Sequence, residues 1–440
     1  MTNKTFKTIL LIAAVSVCGG QARANGPVLT LEAALALAET RHISLRMARE
    51  NIQAAEGQIT EARSGALPHL NLNAQYTRLD DVPVLGTGET AMELGQLDNN
   101  QVTADAEQTL YAGGAVRAAL RMAGEHRAAM HHRMEYTRSE VAYSIHLLFN
   151  RVLLARQDVR VSEEATDRAR KNLDDVTARH QQGLAAPFDV MRAREQFSRS
   201  RSDAIAASNG LQKARLALMR ALELPLNDPR EITGELVPEQ FSPDRSKAIQ
   251  TALANRQDIA EAARNAERQK EAVRIARSGL FPRIGLFGQA KYSNPDRSYE
   301  AEWESSWMAG IRGEIPVFDG KLTRGKVAQQ KARLRQAEIE AESLAAQAAL
   351  EVSNALADLE TSDELLKARR NQMEEAEEAL RLARLGYREG LQQQIDVLNA
   401  QLAMSDSQRA YARAVFEQVM ARRRLEHATG TLTKNSEIGN

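Results

Sequence analysis

The 440-residue chain has one cysteine, Cys18, and it lies close to the N-terminus. A lone cysteine excludes a disulfide framework and any zinc site built from several thiolates. Aromatic residues make up only 4%, and 58 Lys+Arg balance 58 Asp+Glu. Charge balance removes the basic signature of a nucleic-acid binder, so no nucleic acid is expected as a partner. Past the N-terminus no apolar run is long enough for a transmembrane helix, so a membrane role has to come from strands. HExxH, a phosphate-binding loop and the G-x-S-x-G elbow are all missing, which argues against an enzyme and leaves no catalytic residue or cofactor to assign.

The N-terminus is patterned for export. Lys4 and Lys7 precede the apolar run Ile9 to Val17, and Ala22-Arg23-Ala24 supplies small residues for cleavage. Residues 1–24 therefore read as a signal peptide, with lipidation at Cys18 as the alternative to cleavage after Ala24. The apolar run is too short for a membrane anchor. Removing this segment takes Lys4, Lys7 and Arg23 and no acidic residue, leaving 55 basic against 58 acidic side chains and no cysteine. That suits a protein folding outside the cytoplasm without disulfides.

What is present is a plan written twice. Ala62-Arg63-Ser64-Gly65-Ala66-Leu67-Pro68 returns 214 positions later as Ala276-Arg277-Ser278-Gly279-Leu280-Phe281-Pro282. Leu110-Tyr111-Ala112-Gly113 returns 207 positions later as Val317-Phe318-Asp319-Gly320, and Gly183-Leu184 with Asp189 as Gly390-Leu391 with Asp396. The shorter offset puts an insertion in the first copy between Pro68 and Leu110. Pro225, Pro229, Pro238 and Pro243 mark the join, since each removes a helix donor. The expected organisation is a first repeat over 25–223, a linker over 224–243, a second repeat over 244–430 and a flexible tail over 431–440.

Each repeat opens with a helical period, 30–64 and 244–278. Gly65 and Gly279 are expected in the left-handed cap position, and Pro68 and Pro282 forbid continuation. Alternation follows: Leu70, Leu72, Ala74 and Tyr76 share a face, as do Ile284, Leu286, Gly288, Ala290 and Tyr292. Val102, Ala104 and Ala106, then Trp307, Ala309, Ile311 and Gly313, alternate again. Four strands of about ten residues each are long enough to cross a bilayer when tilted. Nine of the nineteen aromatics lie in or beside these segments, the placement of an interfacial girdle. Four strands leave two open edges, which hydrocarbon does not tolerate, so several copies must close the barrel.

Residues 115–182 and 322–387 are unbroken helical patterns spanning about 100 Å each. Gly183 and Gly390 turn the chain, and helices of about 53 Å return over 187–222 and 394–428. The opening helices supply the missing length, so two short helices stacked end to end match each long one. Mainly helical structure with a small β part is the expected fold class. A soluble periplasmic adaptor or rod is the alternative, but an adaptor would have one helical hairpin flanked by strand-rich domains.

With this plan, the chain resembles the outer-membrane efflux protein family, the TolC-like exit ducts. The resemblance is carried by Leu385-Gly386-Tyr387-Arg388-Glu389-Gly390-Leu391, by Ile395-Asp396-Val397-Leu398-Asn399-Ala400 and by Ile315-Pro316-Val317-Phe318-Asp319-Gly320. It implies a homotrimer in the outer-membrane lipid with a twelve-stranded barrel and a helical tunnel in the periplasm. It also implies docking to a periplasmic adaptor and to an inner-membrane transporter of RND or ABC type. Asp396 matches a ring of carboxylates at the closed tunnel end, and its bland alternative is capping of the helix start. A second acidic residue common in relatives is Asn399 here. Tyr387 and Asp189 match residues that fasten the inner helix pair, or Tyr387 is a packed last-turn aromatic; the arginine often found as their partner is Gln392. Gly183, Leu184, Gly390 and Leu391 match the adaptor-docking tips, and Gly65, Pro68, Gly113, Gly279, Pro282 and Gly320 form the helix–strand joints. His126, Met130, His131 and Met134 lie on one helix at spacings that converge poorly, so they read as surface or seam packing and no metal site is expected.

Overall fold

A computed structural model describes residues 28–433 except 87, 89–91, 94, 240, 242–243 and 296–301. The export segment 1–24 with Cys18, and the tail from 434 onward, lie outside the described residues. The first repeat runs β1 (Val28–Leu29), α1 (Leu31–Arg41), α2 (Ile43–Ser64), β2 (His69–Arg78), β3 (Val84–Leu85), β4 (Met92–Glu93), β5 (Asp98–Ala112), α3 (Ala115–Gln181) and α4 (Pro187–Ala221). β6 (Glu231–Ile232) follows. The second repeat runs α5 (Arg245–Asn255), α6 (Gln257–Ser278), β7 (Arg283–Asn294), β8 (Glu304–Glu314), α7 (Leu322–Arg388) and α8 (Gln394–Ala428).

Helix lengths agree between the repeats: α3 and α7 have 67 residues each, and α4 and α8 have 35 each. The opening helices differ from the continuous segments expected, because each is broken at one residue. His42 and Arg256 take extended ψ values of 130° and 123°, and the helix restarts at once. Thr30 and Asp244 cap the first pieces through Ala33 N (3.3 Å) and Lys247 N (2.8 Å). Side-chain bonds hold the breaks: His42 Nδ1 accepts from Ser44 N, and buried Arg256 donates to Asp258 and Glu351.

α3 packs against α4, α6 and α8, and α7 against α8 and α6, and each repeat has its own apolar cluster. In the first, Leu45, Ile145, Phe149, Leu218 and Met219 are buried together. In the second, Ala252, Val352, Leu356, Leu359 and Leu425 are. The segment joining the repeats is strapped to the body. β6 pairs parallel with β1, Arg156 donates to Ile232 O, and Arg215 donates to Arg230 O at 3.1 Å.

β2, β5, β7 and β8 form one antiparallel sheet in that order, leaving β2 and β8 as its edges. The register aligns Leu72 with Ala104, Ala104 with Ala290, and Ala290 with Trp307. One face is therefore apolar across all four strands, with Leu70 at 78% and Trp307 at 80% exposure. The other face carries Asn73, Thr103, Asp105 and Gln289, with Asp105 accepting from the other three. Apolar on one side and polar on the other is the pattern of a barrel wall between lipid and water. Among the described residues no helix is long and apolar enough to cross a membrane.

Candidate functional site

The site lies at the two helical hairpin tips, farthest along α3 and α7 from the sheet. Gly183 and Gly390 adopt φ of 77° and 75°, the left-handed conformation that ends a helix most readily at glycine. Leu184 N then donates to Arg179 O at 2.9 Å, and Leu391 N to Gly386 O at 2.8 Å, satisfying carbonyls of the last turn. Such caps usually bury the following apolar residue. Here Leu184 is 72% and Leu391 82% exposed, so capping explains the glycines and leaves the leucines free for another surface.

Each return helix carries an aspartate as its third residue. Asp189 Oδ2 accepts from Ala186 N at 3.3 Å and Asp396 Oδ2 from Gln393 N at 3.0 Å. Both carboxylates lie in the first helical turn, where the helix dipole favours negative charge. Capping therefore accounts for one oxygen of Asp396. The residue remains exposed beside Asn399, one turn on along the same face.

Two contacts join the hairpins at their tips. The Arg179 guanidinium lies over the Tyr387 ring at 4.7 Å, and Gln394 Nε2 donates to Asp189 O at 3.3 Å. Burial pushes the Tyr387 hydroxyl pKa up, and Asp189 and Asp175 add to that while Arg179 opposes it. Gln392 folds back over Gly386, and a Cβ there would lie 3.0 Å from the Gln392 side chain. Tyr387 and Asp189 are thus brought together with Arg179 and Gln394, neither of which the motif reading singled out. The repeat alignment holds a clue, because Arg179 corresponds to Gly386 and Gln394 to Pro187. Both contacts therefore use a side chain that the other tip lacks at the same position.

The joints at the opposite end divide differently from expectation. Gly65 and Gly279 have φ of −61° and −64°, so they lie in the right-handed region and not in the left-handed cap. Pro68 and Pro282 stand immediately before β2 and β7, and the chain reaches them through a continued right-handed turn. What Gly279 supplies is room: a Cβ would lie 2.9 Å from Thr323 Oγ1. Left-handed backbone occurs instead at Gly113 and Gly320, φ 60° and 64°. His126 turns towards Arg268, and burial together with that charge lowers its pKa. His131 is exposed, and among the described residues no three His, Cys, Asp or Glu side chains converge on a point.

Comparison with known proteins agrees with this arrangement. The family model for "Outer membrane efflux protein" matches residues 34–223 and 248–431, one segment per repeat. The chain is 24% identical over 427 residues to the outer membrane protein TolC of Salmonella enteritidis, covering 90% of this chain and 82% of that one. It is 27% identical over 391 residues to the cobalt-zinc-cadmium resistance protein CzcC of Cupriavidus metallidurans, covering 88% and 86%. The crystal structure of the Campylobacter jejuni CmeC outer membrane channel superposes with a TM-score of 0.79 at 16% identity, covering 93% and 88%. The four-stranded sheet and the two matched repeats set aside the adaptor alternative: the chain belongs to the outer membrane efflux protein family and is a non-enzymatic, TolC-type outer-membrane efflux channel subunit that acts as a trimer.

Proposed function

We propose that the trimer is a passive duct whose periplasmic end is closed by the hairpin tips and opens when they engage a periplasmic adaptor and an inner-membrane transporter of RND or ABC type. The observation that carries this reading is the exposure of Leu184 and Leu391 on caps that do not need them. Two apolar side chains at the extreme end of a charged helical body favour a partner surface there. Leu184→Asp combined with Leu391→Asp should abolish export while membrane level and trimer content stay normal. Unchanged export would remove the tips from the docking surface.

Asp396 is the proposed source of selectivity at that end. Three symmetry-related carboxylates would focus a negative field in a narrow passage, although the chain as a whole is close to neutral. Asp396→Ala should lower cation preference and divalent block in planar bilayers, while loss of the cap costs only about 1 kcal/mol. An unchanged reversal potential would leave Asp396 with its capping role alone. Tyr387→Phe keeps the ring that Arg179 covers and should alter conductance little, with selectivity intact.

A further inference from the structure

Inside the protomer the two repeats meet where α3 packs on α6, and that seam is polar. Arg121 Nε lies 3.0 Å from Glu271 Oε2, His132 Nδ1 2.8 Å from Gln257 Oε1, and Arg133 Nη1 3.6 Å from Glu261 Oε2. The repeat offsets, 207 for the long helices and 214 for the opening ones, carry these positions onto α7 and α2. There the pairs become Ala328 with Gly57, Ile339 with Ile43, and Glu340 with Met47. A fourth polar pair, Glu125 and Arg264 at 3.3 Å, becomes Ala332 with Glu50. No ion pair or hydrogen bond survives the substitution. All eight counterparts are exposed in the single chain, Ile43 at 50%, Met47 at 62% and Ile339 at 63%. A Cβ on Gly57 would meet nothing within 4 Å.

These exposed faces flank the open edges of the sheet. α2 leads into β2 and α7 follows β8, and β2 and β8 are the edge strands. Within the chain, β5 pairs with β7 just beyond the α3–α6 seam. Pairing β8 of one protomer with β2 of the next therefore brings α7 beside that neighbour's α2. We propose that these two helices meet in an apolar seam, Ile339 against Ile43 and Met47 of the next copy, with Ala328 close to Gly57. Burial of three apolar side chains there takes the place of the ion pairs inside the protomer. Glu50 and Glu340 stand where Arg264 and Arg133 are about half exposed, so both carboxylates stay in water at the rim. Two chemically different seams also sort the partners. Offered α6 of another copy, α7 would set Ile339 against Gln257 and Ala328 against Glu271, stranding polar groups. The contact joins unlike faces of identical chains, the head-to-tail kind that closes a ring.

The test places Ile43→Cys and Ile339→Cys in the full chain, singly and together, and treats the intact trimer in detergent with a short bis-maleimide. The double variant should run on denaturing gels as a ladder ending at three chains, and each single variant as one chain. His132→Cys with Gln257→Cys, across the polar seam, should link within the chain and give no ladder. No ladder from the 43/339 pair, while the 132/257 thiols are consumed, would overturn the proposal. Each single thiol should also be shielded from a water-soluble maleimide in the trimer and lose that protection on dissociation. Equal reactivity in both states would be fatal to it. Finally, Ile339→Asp should lower the temperature at which the trimer dissociates, and adding Ile43→Lys should recover part of the loss. Ion pairs already fit at this level across the polar seam, so a double variant no better than Ile339→Asp alone would place the two residues apart and end the model.

Discussion

The two repeats share every helix length, yet their interiors are furnished differently. Position for position, Phe149 corresponds to Leu356 and His146 to Ser353 along the long helices. The first cluster is built on an aromatic ring with Gly234 of the joining segment lying over it, and the second is built on alanine, valine and leucine. The same division holds at the joints. A Cβ on Gly113 would stand 2.6 Å from Ser278 O, whereas one on Gly320 would meet nothing within 4 Å. Duplication conserved the backbone path and left side-chain packing free to diverge, so equivalent substitutions should have unequal effects.

Gly113→Ala against Gly320→Ala should separate the repeats most sharply. At Gly113 the positive φ combines with a backbone clash, and the loss should be about 3 kcal/mol or more, seen as little folded trimer. Gly320→Ala carries only the conformational strain, about 1 kcal/mol. Similar yields for the two would deny the asymmetry. Next comes Phe149→Ala against Leu356→Ala. Both leave cavities, but the ring and its cover from Gly234 favour a loss near 4 kcal/mol in the first and near 3 in the second, read from thermal midpoints.

pH offers a third separation, because only the first repeat has a titratable group at the 146/353 position. Burial lowers the His146 pKa to about 4, with Arg423 adding to that and Glu426 and Glu32 opposing it. Its folded pKa is below the unfolded value, so the unfolded chain takes up the proton first. Stability from this group is therefore intact above about 6.5 and falls as pH drops towards 4, by about 3 kcal/mol in all. His146→Leu should flatten that part of the pH profile, whereas Ser353→Ala should leave it alone. Smallest is Arg179→Ala, which uncovers the Tyr387 ring at a cost of about 1 kcal/mol and has no counterpart at Gly386.

Much of this fold was legible in the chain because two periods carried it. Alternation at Leu70 to Tyr76 and at Ile284 to Tyr292 can be satisfied only by strands with one apolar face, and the long proline-free stretches only by helices. The breaks at His42 and Arg256 were not legible, since one residue with extended ψ leaves no glycine or proline to mark it. The misplaced cap at Gly65 and Gly279 has a related cause: glycine serves both positive φ and close approach, and the sequence does not distinguish them. At the tips, the glycine turns and capping aspartates are local and could be read directly. The Arg179–Tyr387 and Gln394–Asp189 contacts join residues more than 200 positions apart, beyond the reach of any local pattern.

The equal helix lengths carry a consequence for how such a chain can vary over time. One residue added within α3 would advance everything beyond it by 1.5 Å and rotate it by about 100°. The first hairpin tip would then fall out of level with the second and present a different face to its neighbours. Length changes in the helices are thus tolerated only as matched events in both repeats. The turns between β2 and β5 and between β7 and β8 face no such constraint, and there the two copies already differ: 19 residues separate the first pair of strands and nine the second. Insertions and deletions should accumulate at that far rim, so surface novelty can change quickly there while the body keeps its measure.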